Sequence, residues 1–329
     1  MKRLSVIWTL AASICVGCQT DTRPDKPGVP LHTEVRRDEW KLGYTTGHIL
    51  RTRRYRIFTT VKRALILQKV PAFLEASYSN YLELTGLEAR PVDQCMNVYV
   101  MASRQEWSNL TEHVIGRTIP LQAGGYCYEK TCFFWDIGLR GTLSVAAHEG
   151  FHQFFRHQME DQLPMWLEEG LCTLAEGFQL RGDGVVFTPD DNPGRFNNLR
   201  AAIVERHWLD LPVLLSRHSQ EAVSSDLPEQ AVGYYGQLWA LMRYIRSNPK
   251  YSRGLTRLLQ DARAGRLHQS LELTRAGYSL LRRQGLLYNR TVSVPLFRKY
   301  IASDLDAFQR EYTSYARKLV MIDGAGVSR

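Results

Sequence analysis

His148, Glu149 and His152, in the stretch AAHEGFHQFF (146–155), are the residues of this chain best suited to chemistry. Residues four apart on a 3.6-residue turn project to the same side, so two imidazoles at this spacing can reach one ion. Ala147, Phe151 and Phe154 make a neighbouring apolar stripe, which reads as a buried helix. Two buried imidazoles need partners, either a metal or hydrogen bonds from the fold. A glutamate beside the first histidine and turned off its face is placed to take a proton from a water at that ion.

A second helix is expected over LPMWLEEGLCTLAEG (163–177), between Pro164, tolerated in a first turn, and Gly177, a common stop. Leu167, Leu171 and Leu174 form its core stripe. Glu169 and Glu176 lie on the opposite side and Glu168 at the edge. Periodicity alone leaves open whether that side faces a metal or water.

HEGFH followed at this distance by WLEEG resembles the gluzincin metallopeptidases, and most closely the peptidase-MA-like domains of bacterial envelope proteins. The resemblance implies an α+β fold with a thermolysin-like catalytic domain and a Zn²⁺ cofactor. It implies the ligands His148, His152 and Glu169, the glutamate directly before glycine, with Glu168 at the motif's variable position. AVGYYGQLWALMRYI (231–245) is similar to the helix that carries a tyrosine near the metal, which maps to Tyr235; its apolar spacing also suits a plain core helix. The implied activity is hydrolysis of peptide bonds in a peptide or protein substrate, with Glu149 as general base and Tyr235 donating to the oxyanion. A noncatalytic envelope scaffold and a cell-wall amide hydrolase are the rival readings. Glu176 has two readings, a carboxylate orienting a ligand from behind or a solvent-facing one. His157 reads as structural, and Arg200 is a candidate for a substrate carboxylate.

These residues need a frame to hold them. RYRIFTTV (54–61) alternates, with Tyr55, Ile57 and Thr59 on one side, and reads as a strand. A helix from Val61 to Leu84 follows, with a kink or break expected at Pro71. MNVYVM (96–101) reads as a second strand, and a short helix capped by Ser103 comes next, with Glu106 three residues on. QAGGYCYEKTCFFWD (122–136) reads as a β-hairpin, which the resemblance casts as the edge that aligns substrate. Helices dominate thereafter and end in SDLDAFQREYTSYARKLV (303–320), capped by Ser303. Strands first and helices later give an α+β class with the chemistry at the junction. The division expected is 46–190 for the region carrying the metal helix and 191–329 for helices completing it.

The remaining sequence speaks to location. Residues 1–18 have a basic start, a short apolar run and small residues before Cys18, the layout of an export signal. CVGC resembles a bacterial lipoprotein box, which implies a lipid anchor at Cys18 in the cell envelope; a plain signal peptide is the other reading. Residues 19–45, rich in proline and charge near their start, read as an extended tether. Cys127 and Cys132 could close a bridge across the hairpin; the alternative is free thiols among Cys95, Cys127, Cys132 and Cys172. With 44% hydrophobic and 23% charged residues in 329, a sizeable globular core is available. The net charge of +9 is spread without a long basic run, RTRRYR (51–56) reads as a solvated strand face, and nucleic acid is not an expected partner.

Overall fold

The structure is a computed structural model that describes residues 28–91, 95–116, 124–223 and 228–324. The export signal, Cys18 and the first part of the expected tether lie outside the described residues. The strands are β1 (Val29–Pro30), β2 (Arg36–Leu42), β3 (Thr45–Arg51), β4 (Tyr55–Thr59), β5 (Met96–Met101), β6 (Gly125–Tyr128), β7 (Thr131–Trp135), β8 (Phe178–Arg181) and β9 (Gly184–Phe187). The helices that frame the site are α1 (Ala64–Thr85), α2 (Arg104–Ile115), α3 (Leu139–Gln158), α4 (Met165–Ala175), α5 (Pro193–Val204), α6 (Leu211–Ser216), α7 (Ser219–Val223) and α8 (Pro228–Ser247). Five more follow: α9 (Pro249–Arg263), α10 (Leu267–Ser270), α11 (Arg275–Arg282), α12 (Leu286–Tyr300) and α13 (Leu305–Gly324).

Strands gather early and helices late, as an α+β reading requires. The main sheet runs β2-β3-β4-β5-β7-β6, with β4, β5 and β7 parallel and the outer pairs antiparallel. Alternation in β4 buries Tyr55, Ile57 and Thr59 on the face that α1 and α3 cover. On the other face an aromatic row crosses five strands. Trp40, Phe58, Tyr99, Phe133 and Tyr126 meet with centroids 4.6–5.4 Å apart, mostly stacked, under Trp107 of α2.

Several expectations are corrected. The stretch read as a tether is partly ordered, because β1 pairs with β9 and β2 pairs along its whole length with β3. Its charged residues occupy a strand at the sheet's edge, where one side faces water. Pro71 does not break α1, which runs unbroken to Gly86, a left-handed C-cap; the helix is held by burial of Val70, Phe73, Leu74, Tyr78 and Tyr81. Leu65, in the first turn of α1, is exposed. Ser103 caps α2 as expected, accepting from the Glu106 amide, but α13 is capped by Asp304, whose carboxylate accepts from the Ala307 amide at 2.9 Å. Cys127 and Cys132 stand directly opposite in the hairpin yet are free thiols. Cys132 instead donates to the Glu149 carbonyl at 3.1 Å.

Two glycines set the approach of the site helices. A Cβ at Gly150 of α3 would lie 2.7 Å from the Tyr81 hydroxyl, which donates to the Ala147 carbonyl at 2.8 Å and ties α3 to α1. A Cβ at Gly170 of α4 would overlap Met242 of α8. All eleven residues of α4 are buried, so the polar face left open by the sequence is enclosed by protein.

Candidate metal centre

His148 and His152 of α3 face Glu169 of α4. The two Nε2 atoms are 3.3 Å apart, and Glu169 Oε2 lies 3.3 Å from His148 Nε2 and 3.6 Å from His152 Nε2. Each Nδ1 is engaged behind the triangle: His148 Nδ1 with Glu176 Oε1 at 2.7 Å, His152 Nδ1 with Glu168 Oε1 at 2.8 Å. A neutral imidazole donating from Nδ1 to a carboxylate presents a lone pair at Nε2. Both lone pairs then point into the same small space, where they cannot bond each other. Glu169 Oε2 is buried there without a hydrogen-bond partner among the described residues. Glu169 Oε2 and the two Nε2 atoms together make a set of three electron-pair donors that could hold a cation.

An arginine stands behind each carboxylate. Arg195 of α5 grips Glu176 with Nη2 to Oε1 at 2.6 Å and Nε to Oε2 at 2.7 Å, a two-point clasp. Arg156, on α3 itself, reaches Glu168 Oε1 at 3.4 Å. Asn192, whose side chain caps α5, also donates to Glu176 and to the Thr173 carbonyl. The charges form a set: carboxylates at Glu149, Glu168, Glu169 and Glu176 against guanidinium groups at Arg156 and Arg195. Two negative charges are left over, which a divalent cation or two imidazolium protons would balance.

The electrostatics of the metal-free site show the proton solution. Burial would lower the pKa of His148, but Glu169 and Glu176 hold it at about 9. His152 is also raised, against burial, by the Cys172 and Glu169 side chains. Glu169 and Glu176 resist the upward push of burial: His152 and His148 hold Glu169 well below its usual range, and Arg195 with His148 holds Glu176 at about 2. Glu149, almost fully buried next to them, moves the other way because burial outweighs the two histidines. Its carboxylate is therefore more basic than an ordinary one.

His148, His152 and Cys172 also form a group that could hold a metal ion, with one ligand atom from each within 4.8 Å of the others. Cys172 sits on α4 one turn beyond Glu169 and is fully buried, which pushes its thiol up to about 12. A thiol must lose its proton to ligate. Glu169 is held ionised, with its Oε2 3.3 and 3.6 Å from the two Nε2 atoms, so it can donate without first losing a proton.

Tyr235 reaches the site from α8, its ring 6.3 Å from that of His148 and 5.0 Å beneath the Arg195 guanidinium. Burial keeps its hydroxyl protonated well above the usual phenol range, so it is a donor. The edge strand β6 lies against α3: a Cβ at Gly125 would meet Val145 at 2.7 Å. His148, Glu149, His152, Glu169 and Tyr235 thus converge. Glu176 faces His148, not solvent. Arg200 is exposed on α5; the arginine of that helix that enters the site is Arg195.

Sequence reading missed Glu168, Arg156, Asn192 and Arg195 as site residues. For Glu168 a signal existed, a doubled glutamate on a helix with otherwise unbroken apolar character; a lone arginine after a turn carries none. The chain matches no protein-family model and no curated protein.

Proposed function

We propose that the chain is a zinc metallopeptidase of gluzincin type, with a thermolysin-like arrangement of its catalytic helices. The observation that carries this is the triangle of His148, His152 and Glu169. Tetrahedral zinc with bonds of about 2.0–2.1 Å needs ligand atoms about 3.3–3.4 Å apart, and the three edges are 3.3, 3.3 and 3.6 Å. The surplus of two carboxylates matches the charge of Zn²⁺. Bound there, zinc would supply a water made acidic toward neutrality and a positive charge for a developing oxyanion.

The chain's own groups do the rest. Glu149, made basic by burial, takes the water's proton and passes it to the leaving amine. The Tyr235 hydroxyl, on a ring 6.3 Å from that of His148, would donate a hydrogen bond to the oxyanion. Glu176 and Glu168 fix the tautomer and tilt of the two imidazoles. The free edge of β6, packed on α3, offers backbone groups to an extended peptide. We further infer export and lipid attachment at Cys18, which intact-mass measurement of the mature chain tests.

The test of activity is Glu149→Gln, assayed on a mixed-peptide library beside the parent chain. The parent should cleave peptides with about one zinc per chain, and the variant should keep zinc and lose activity by roughly 10²–10⁴-fold. A zinc-loaded parent that cleaves no peptide would contradict the peptidase reading.

A further inference from the structure

The chain's positive charge is concentrated in one segment. Between Leu273 and Ser303 there is no Asp or Glu, while Arg275, Arg282, Arg283, Arg290, Arg298 and Lys299 all fall there. Elsewhere acids and bases are closely matched, so most of the +9 formal charge resides in this one segment. It folds as the hairpin of α11 and α12, turned at Gly285 (φ +53°).

Apolar side chains protrude from the same hairpin. Leu280 is 61% exposed, Leu286 38% and Leu287 52%, clustered around the turn. They are not loose, because the hairpin is pinned from beneath. The Tyr278 and Tyr288 hydroxyls meet at 2.9 Å, and Tyr288 also bonds the Gln162 carbonyl. Arg290 is paired with Glu221, but among the described residues Arg275, Arg282 and Arg283 form no ion pair. Arg282 is held over the Tyr278 ring and against the Glu160 backbone carbonyl, with no carboxylate in ion-pair contact among the described residues.

We propose that the tip of this hairpin docks on a bilayer surface carrying anionic lipid headgroups. Leucines standing on a rigid turn, ringed by unpaired arginines, suit shallow insertion among acyl chains with guanidinium groups at phosphate level. An acidic protein surface would account for the arginines and leave three exposed leucines in water. Among the described residues no helix is long and apolar enough to cross a membrane. The inference is independent of the peptidase reading.

Hydrogen exchange on the full chain tests it, with vesicles of phosphatidylcholine alone and of phosphatidylcholine carrying phosphatidylglycerol. Amides of residues 280–288 should exchange more slowly on the anionic vesicles and not on the neutral ones. Arg282→Ser with Arg283→Ser should weaken that protection by roughly fivefold per arginine, and Leu280→Ser with Leu287→Ser should remove it. No slowing on anionic vesicles, or equal slowing on both kinds, overturns the proposal, as does protection unchanged in the arginine variant. Protection by a second copy of the chain, seen as concentration-dependent slowing without vesicles, would also overturn it. The comparison of the two vesicle types uses only the parent chain, so it decides even if a variant fails to fold.

Discussion

The two histidines of the site are held by arms built alike and tuned differently. His148 leans on Glu176, which Arg195 clasps at 2.6 and 2.7 Å with Asn192 alongside. His152 leans on Glu168, which Arg156 reaches at 3.4 Å from a side chain 37% exposed. The first arm ties three elements, α3, the end of α4 and α5, and its Arg195 guanidinium lies over the Tyr235 ring. The second stays within α3 and α4. A carboxylate held at two points fixes an imidazole's tilt, whereas one held at a single longer contact leaves it some freedom. The His148 arm therefore fixes the geometry of both the His148 imidazole and the Tyr235 ring; the His152 arm mainly balances charge.

The largest expected effect that would break this comparison is on the proton donor. Tyr235→Phe should lower kcat by roughly 10²–10³-fold with zinc content unchanged. Arg195→Ala should lower kcat too, because Tyr235 and Glu176 both lose their support, while Arg156→Ala should leave kcat within a few fold; equal losses in the two variants would show that the arms are equivalent. Next, Glu176→Ala should weaken zinc binding toward the upper end of roughly 10–100-fold and Glu168→Ala toward the lower end, read by competition with a chelator.

A smaller effect is the pH dependence of the metal-free fold. His148 titrates at about 9 in the folded chain against 6.5 ordinarily. Its contribution to stability is thus complete below pH 6.5 and is lost as pH rises through about 9. Zinc bound at the proposed site would displace that proton, so the metal-free thermal midpoint should fall across that window while the gain on adding zinc grows. At the acid end Glu176, held at about 2 against 4.5, contributes above pH 4.5, and that contribution fades as pH falls through about 2. Melting curves with and without a chelator measure both; a metal-free midpoint that rises between pH 6.5 and 9 would be inconsistent with the charged pair.

The two arms also differ in how much of them the sequence discloses. The histidines and Glu149 are legible because four-residue spacing on a helix is a local property. Glu169 and Tyr235 come from motif resemblance, since periodicity sets Glu169 opposite the leucine stripe but does not say whether that side faces a metal or water. Arg195 enters through the turn before α5, a long-range placement that no local pattern encodes. The strand alternation at Tyr55, Ile57 and Thr59 was readable for the same reason as the histidines. β2 was not, because its residues are charged and it draws stability from pairing with β3 at an edge. Pro71 misled because proline's cost to a helix is local, and burial of the residues around it exceeds that cost.

Zinc content after exhaustive dialysis of the parent chain, Glu169→Ala and Cys172→Ala bears most directly on the metal centre, because the two substitutions remove the rival third donors. The parent and Cys172→Ala should retain about one zinc per chain and Glu169→Ala should lose it, since Glu169 closes a 3.3–3.6 Å triangle with the two Nε2 atoms. Zinc retained in Glu169→Ala and lost in Cys172→Ala would contradict the assignment and make the centre a His148, His152, Cys172 site.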